Sequence, residues 1–217
     1  MKRNFLLLFT LCAFLNLNAQ HDPEARKVLD NVSKTTKSWS TAKIEFKATF
    51  TSVEPETTES HKGTLWQKGE KYKLVFMGSH TFCNGINKWV FMPEVDEVNF
   101  YIVDKSDKGN LLDNPQQIFN LYTDGYKYAT IGEQPVNGKT IVEIELVPED
   151  KNVEFFKIKV FVDKTDMRLT KLQYYAKDGG RATIEVLNYK IGDNLADKFF
   201  VFDEKSNPDA IIIDMTE

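Results

Sequence analysis

Cysteine is nearly absent from these 217 residues, with Cys12 and Cys83 the two examples. Cys12 falls in an N-terminal apolar stretch, so the folded part of the chain keeps one thiol and no internal disulfide. A lone cysteine is more often buried and inert than reactive. Histidine is scarce too, at three residues, His21, His61 and His80. HExxH, CxxC, GxSxG and a phosphate-cradling glycine loop are all missing, which removes the signatures of zinc hydrolases, redox dithiols, serine hydrolases and nucleotide binders. Basic residues number 28 against 32 acids, a net charge of −4 with no basic stripe. Nucleic acid is therefore not an expected partner. No apolar run approaches the roughly 18 residues of a spanning helix.

What the N-terminus does have is Lys2-Arg3, an apolar run from Phe5 to Leu15, and Ala19 after a short polar stretch. A basic start, a short apolar segment and a small residue describe a secretory signal, so residues 1–19 are expected to be cleaved. Cys12 is preceded by Thr10-Leu11 and the apolar run continues past it, which does not fit a lipid-attachment box. Residues 20–217 are then expected to form a single exported, unanchored, monomeric domain, more acidic by two charges once Lys2 and Arg3 are gone. His21 beside the cleavage point and His61 in "ESHKG" read as solvated surface. Asp203-Glu204 and Glu149-Asp150 read as loop charges. Nothing points positively to an enzyme, and no metal or cofactor is expected.

Beyond the leader, Asp22-Pro23-Glu24 reads as a helix start, with an N-cap, an early proline and an acid near the positive end. Ala25, Val28, Leu29 and Val32 recur at helical spacing and predict an amphipathic helix to about Lys37. From Thr41 the period becomes two: Ile44, Phe46, Ala48 and Phe50 alternate with Glu45, Lys47 and Thr49, and Tyr72, Leu74 and Phe76 follow suit. Further strands are expected at 61–68, 87–92, 97–103, 126–131, 139–147, 154–162, 169–176, 182–189 and 198–202. Glycine-bearing turns such as Asn84-Gly85 and Asn137-Gly138 separate several of them. About eleven short strands at hairpin spacing predict one antiparallel sheet curling towards a barrel. "DNPQQIFNLYTDG" breaks the rhythm and reads as a second, short amphipathic helix. A barrel this wide with large apolar inward residues encloses a dry cavity, a helix plug or an ordinary core.

"HTFCNGINKWVFMP", residues 80–93, holds the chain's closest His and Cys. Three apart in strand-like sequence, His80 and Cys83 point to opposite faces, which argues against a catalytic dyad or a metal pair. Asn84-Gly85 reads as a hairpin turn, which leaves Trp89 and Phe91 as the informative residues.

In order, the chain offers a leading helix, "KATF", "GTLWQKGEKYKLVF", "NGINKWVFMP", "NPQQIF", "NGKTIVEIELVPED", "DGGRATIEVLNYKIGDNLADKFFVFD" and "PDAIIIDM". This order resembles the periplasmic outer-membrane lipoprotein carrier family, LolA, over nearly the whole mature chain. The resemblance implies a mainly β fold with some α: an unclosed antiparallel β-barrel of about eleven strands, covered by a helical lid. It implies a periplasmic chaperone that takes the acyl chains of lipoproteins into an apolar cavity and shuttles them from the inner to the outer membrane. Cargo lipoproteins, an inner-membrane lipoprotein-releasing ABC transporter and an outer-membrane acceptor are the implied partners. The implied cavity residues are Phe46, Phe50, Leu65, Tyr72, Leu74, Phe76, Trp89 and Phe91, with Ile118, Phe119 and Tyr122 under the lid. Where the family often places a latch arginine, this chain has Lys68 and Lys71, which lack the planar fork. A periplasmic sensor or regulatory binding module shares the half-barrel and is the alternative. An outer-membrane acceptor of the same fold would need the lipid-attachment box that is missing.

Overall fold

The computed structural model describes residues 22–104, Thr123 and 125–216. One α-helix, α1 (Pro23–Ser38), opens the described chain. The side chain of Asp22 caps it, accepting from the Glu24 amide at 2.8 Å, while Pro23 occupies the first turn and Lys37 the last. Ala25, Leu29, Val32, Ser33 and Thr36 are buried, so the apolar stripe seen in the sequence is the packed face. The second carboxylate oxygen of Asp22 accepts from the Thr130 amide at 2.8 Å, which docks the helix start onto a strand.

Among the described residues twelve strands follow and form one sheet. They are β1 (Ala42–Val53), β2 (Glu56–Lys68), β3 (Lys71–Phe76), β4 (Ser79–Cys83), β5 (Asn87–Met92), β6 (Glu97–Ile102), β7 (Tyr126–Val136), β8 (Lys139–Pro148), β9 (Phe155–Asp163), β10 (Arg168–Ala176), β11 (Arg181–Ile191) and β12 (Ile211–Asp214). Their order is β12-β6-β5-β4-β3-β2-β1-β11-β10-β9-β8-β7, with β12 and β7 as unjoined edges. The sheet is thus unclosed. Neighbours run antiparallel except for β12, which lies parallel to β6. Between β7 and β8, Asn137 and Gly138 both take left-handed backbone (φ 51° and 78°), the tight hairpin turn that an Asn-Gly pair favours.

The strand-like stretch that holds His80 and Cys83 is β4, and it pairs with β5 across the Asn84-Gly85 turn. The structure departs from the sequence expectations at two places. β12 was not expected: four fully surface-lying residues pair in parallel with a strand more than a hundred positions away. The stretch 198–202 is not a strand but holds most of a 3-10 helix (Asp197–Phe200), since it crosses the sheet instead of joining it.

The two faces are covered differently. On the inner face, α1 packs over β7–β10, with Leu29 and Val32 against Val142, Ile144, Leu146, Ile158, Val160 and Leu172. A second inner cluster spans β1–β4: Ile44, Phe46, Ala48, Leu65, Tyr72, Leu74 and Cys83. Ile184 on β11 touches both. On the outer face, residues 192–210 run as a strap from β11 towards β12, crossing β2–β5 by way of Phe199 and Phe202. The outer face of β8 and β9 instead carries ion pairs, Glu143–Lys159 at 2.7 Å and Glu145–Lys157 at 3.3 Å.

Candidate functional site

Register decides which side chains share the inner face. Phe46 stands opposite Gly63, which stands opposite Phe76. One row along, Ile44, Leu65 and Leu74 align, and the next row is Ala42, Gln67, Tyr72 and Cys83. Towards the β1–β2 hairpin, Ala48 faces His61 and Phe50 faces Glu59. The result is an apolar trough running along β1–β3.

Gly63 makes the middle row possible. A Cβ built there would lie 2.3 Å from Cζ of Phe46, so the ring lies directly on the glycine backbone. Phe46 then meets Phe76 at 5.4 Å between centroids, and Phe76 meets Phe50 at 6.3 Å. The His61 ring joins this group edge-on to Phe76 at 6.3 Å. Exposure rises along the trough: Leu65, Tyr72 and Leu74 are buried, while Phe50, Phe76 and His61 are half-buried at the rim.

Six of the residues singled out from the sequence, Phe46, Phe50, Leu65, Tyr72, Leu74 and Phe76, come together on this face. Trp89 and Phe91 do not. In the β4–β5 pairing they align with Phe82 and His80, on the face opposite Cys83 and Tyr72. Phe91 packs on Phe202 at 5.2 Å and Trp89 on Phe100 at 5.7 Å, beneath the strap. The sequence of β5, with Trp89 and Phe91 on one parity and Val90 and Met92 on the other, is apolar on both faces. Alternation alone could not assign it.

His80 and Cys83 lie on opposite faces, as their spacing predicted. His80 sits edge-on to Phe91 at 6.1 Å, and burial with Lys73 nearby lowers its pKa, keeping the imidazole neutral. Burial pushes the Cys83 thiol up, away from the thiolate a nucleophile would need. Among the described residues no group of three or more His, Cys, Asp or Glu side chains gathers as around a metal.

Lys68 and Lys71 hold the strap. Lys68 Nζ donates to Asp197 at 2.9 Å and to the Leu195 carbonyl at 2.8 Å, and Lys71 reaches the other Asp197 oxygen at 2.6 Å. Hydrogen bonds from these two ammonium groups hold the Asp197 carboxyl at about 2, well below its ordinary value. Beyond the clamp, Phe199 meets Trp66 at 5.7 Å, and Lys73 lies over the rings of Phe82 and Phe199 at 4.6 and 5.0 Å. The expected lid residues Ile118, Phe119 and Tyr122 lie outside the described residues. Sequence reasoning missed Asp197 and Phe199; the signal was the phenylalanine cluster in "KFFVF", read there as a strand. His61, read as solvated surface, is half-buried with its Nε2 enclosed.

At the trough's other end, the β2–β3 and β4–β5 turns and the end of β6 form a cleft of about 800 Å³. Lys68, Lys71, Ile86, Ile102 and Val103 line it, and Val103 also packs against the inner cluster. At the foot of α1, the Arg168 guanidinium lies 5.7 Å from the Trp39 ring and 5.6 Å from that of Tyr189, whose hydroxyl donates to the Leu169 carbonyl at 2.8 Å.

A family model described as "-like: Uncharacterized protein" matches residues 68–190. No curated protein matches in sequence. Among solved structures, the chain is similar to an uncharacterized conserved protein from Thermus thermophilus, with a TM-score of 0.58 at 13% identity, covering 88% of this chain and 99% of that one. LprF from Mycobacterium bovis gives a TM-score of 0.50 at 12% identity, covering 82% and 97%. A LolA superfamily protein, NE2245 from Nitrosomonas europaea, gives 0.43 at 15% identity, covering 82% and 97%. At such identities the likeness concerns the fold alone: an open sheet with a helix packed on one face.

Proposed function

We propose that this chain, which belongs to the family whose model spans residues 68–190, is an exported carrier of acylated proteins. It holds the acyl chains of lipoproteins in the inner trough and moves them from the inner to the outer membrane. An inner-membrane lipoprotein-releasing ABC transporter loads it, and an outer-membrane acceptor unloads it. The observation that carries this reading is the trough itself. Phe46, Leu65 and Leu74 present a continuous apolar wall whose rim, at Phe50 and Phe76, is only half-buried.

The energetics suit a shuttle. Each buried methylene contributes about 0.8 kcal/mol, so a partly sheltered acyl chain gains several kcal/mol without becoming impossible to hand on. From His61 to Gln67 the trough covers roughly 20 Å of strand at about 3.4 Å per residue. One acyl chain spans about half of the ~30 Å hydrocarbon core of a bilayer, a length that this stretch of strand matches.

Incubation with membranes carrying an inner-membrane-anchored lipoprotein and its ATP-driven releasing transporter tests the proposal. Wild-type chain should bring the lipoprotein into the soluble fraction, and Leu74→Glu, with a charge in the wall, should not. Equal release by both would count against the trough, and no release by the wild type would count against the carrier role.

A further inference from the structure

The trough is apolar along its middle rows, with Gln67 at its closed end and, at its rim, a histidine ring among phenylalanines. His61 lies 6.5 Å from Phe50 and 6.3 Å from Phe76, on the inner face opposite Ala48. Its Nε2 is enclosed and has no hydrogen-bond partner among the described residues. The nearest acidic oxygen, Oε2 of Glu59, is 3.6 Å away on a side chain that is 69% exposed, beyond hydrogen-bond reach. Leaving an enclosed polar nitrogen unpaired costs free energy, and natural structures rarely accept that without a partner. A phenylalanine would pack equally well at this spot between two others.

Resting on the carrier reading, we infer that His61 is the polar anchor of the trough and donates from Nε2 to the ester carbonyl of a glycerol-linked acyl chain. Three features fit that ligand. The donor sits where half-buried rim gives way to the closed interior, which is where the carbonyl of an inserted chain ends its hydrocarbon. Below it, Phe46, Leu65 and Leu74 line the inner face as far as Gln67, roughly 20 Å along the strand. Above it, Glu56–Ser60 on the projecting β1–β2 hairpin are exposed and polar, suited to a glycerol headgroup in water. An ether oxygen is a weaker acceptor than an ester carbonyl, so an alkyl ether gains the apolar contact with a poorer partner for Nε2. His61 therefore sets selectivity for acyl esters over alkyl ethers of the same length.

The probes are 1-palmitoylglycerol and its ether counterpart 1-O-hexadecylglycerol, titrated into the exported chain and its His61→Phe, His61→Leu and His61→Gln variants, with circular dichroism confirming the fold of each. Wild type should prefer the ester about fivefold, as expected of one net hydrogen bond. Phe and Leu should bring that ratio to one, and Gln, which keeps a donor, should retain most of it. An ester preference that survives in the Phe or Leu variant overturns the anchor, as does equal binding of both probes by wild type; the carrier reading survives either result. Binding of neither probe by wild type overturns both.

Discussion

Gly63 and Phe46 show how much one atom decides in this chain. The Phe46 ring occupies the space that any side chain at position 63 would need. Gly63→Ala must push the ring off the sheet and into the trough, an overpacking that costs about 1–3 kcal/mol. Urea denaturation should show the lower midpoint, and acyl-probe affinity should fall with it; an unchanged midpoint would mean the ring moves freely. Cys83 offers a second check on a single side chain. Its thiol is buried on the inner face and its pKa is raised, so a maleimide should react with the native protein far more slowly than with the urea-unfolded chain. The residues legible in the sequence were those on strands with one wet face, such as Phe46 and Leu74. Trp89 and Phe91 were assigned to the wrong face because the strap dries their side too, and with both faces apolar the period-two signal vanishes.

Among the elements, the strap is held by charge at its start and by aromatic packing further on. Phe202 is 5% exposed between Phe82 and Phe91. Phe202→Ala should destabilise by about 3 kcal/mol and shift tryptophan emission to the red as the strap lifts from the Trp66 and Trp89 face. The clamp responds to acid. Asp197 has its folded-state pKa depressed to about 2 from an ordinary 3.8. Its contribution is therefore present above the ordinary value and is lost as pH falls through about 2. An acid titration followed by tryptophan emission should show this step, and Asp197→Asn should remove it. The helix, by contrast, was readable almost to the residue. Its cap, early proline and apolar stripe are local signals, whereas the strap and β12 depend on partners distant in sequence, which no local pattern encodes.

Across the whole molecule, one sheet is dried on its two faces by different devices, α1 inside at one half and the strap outside at the other. This division puts α1 over β7–β10 and leaves the aromatic rim of β1–β3, at Phe50 and Phe76, half-buried. The open-sheet architecture was legible because hairpin turns and short alternating strands repeat along the chain. The assignment of faces was not, because it follows from register and coverage. Whether the trough carries acyl chains can be read from native mass spectrometry of the chain, purified from the periplasm of cells that export it. The wild type should arrive with an acylated protein bound, and Leu74→Glu should arrive without it, both proteins being equally folded by circular dichroism. A wild-type chain free of acylated species, or an equal load on Leu74→Glu, would contradict the role given to the trough.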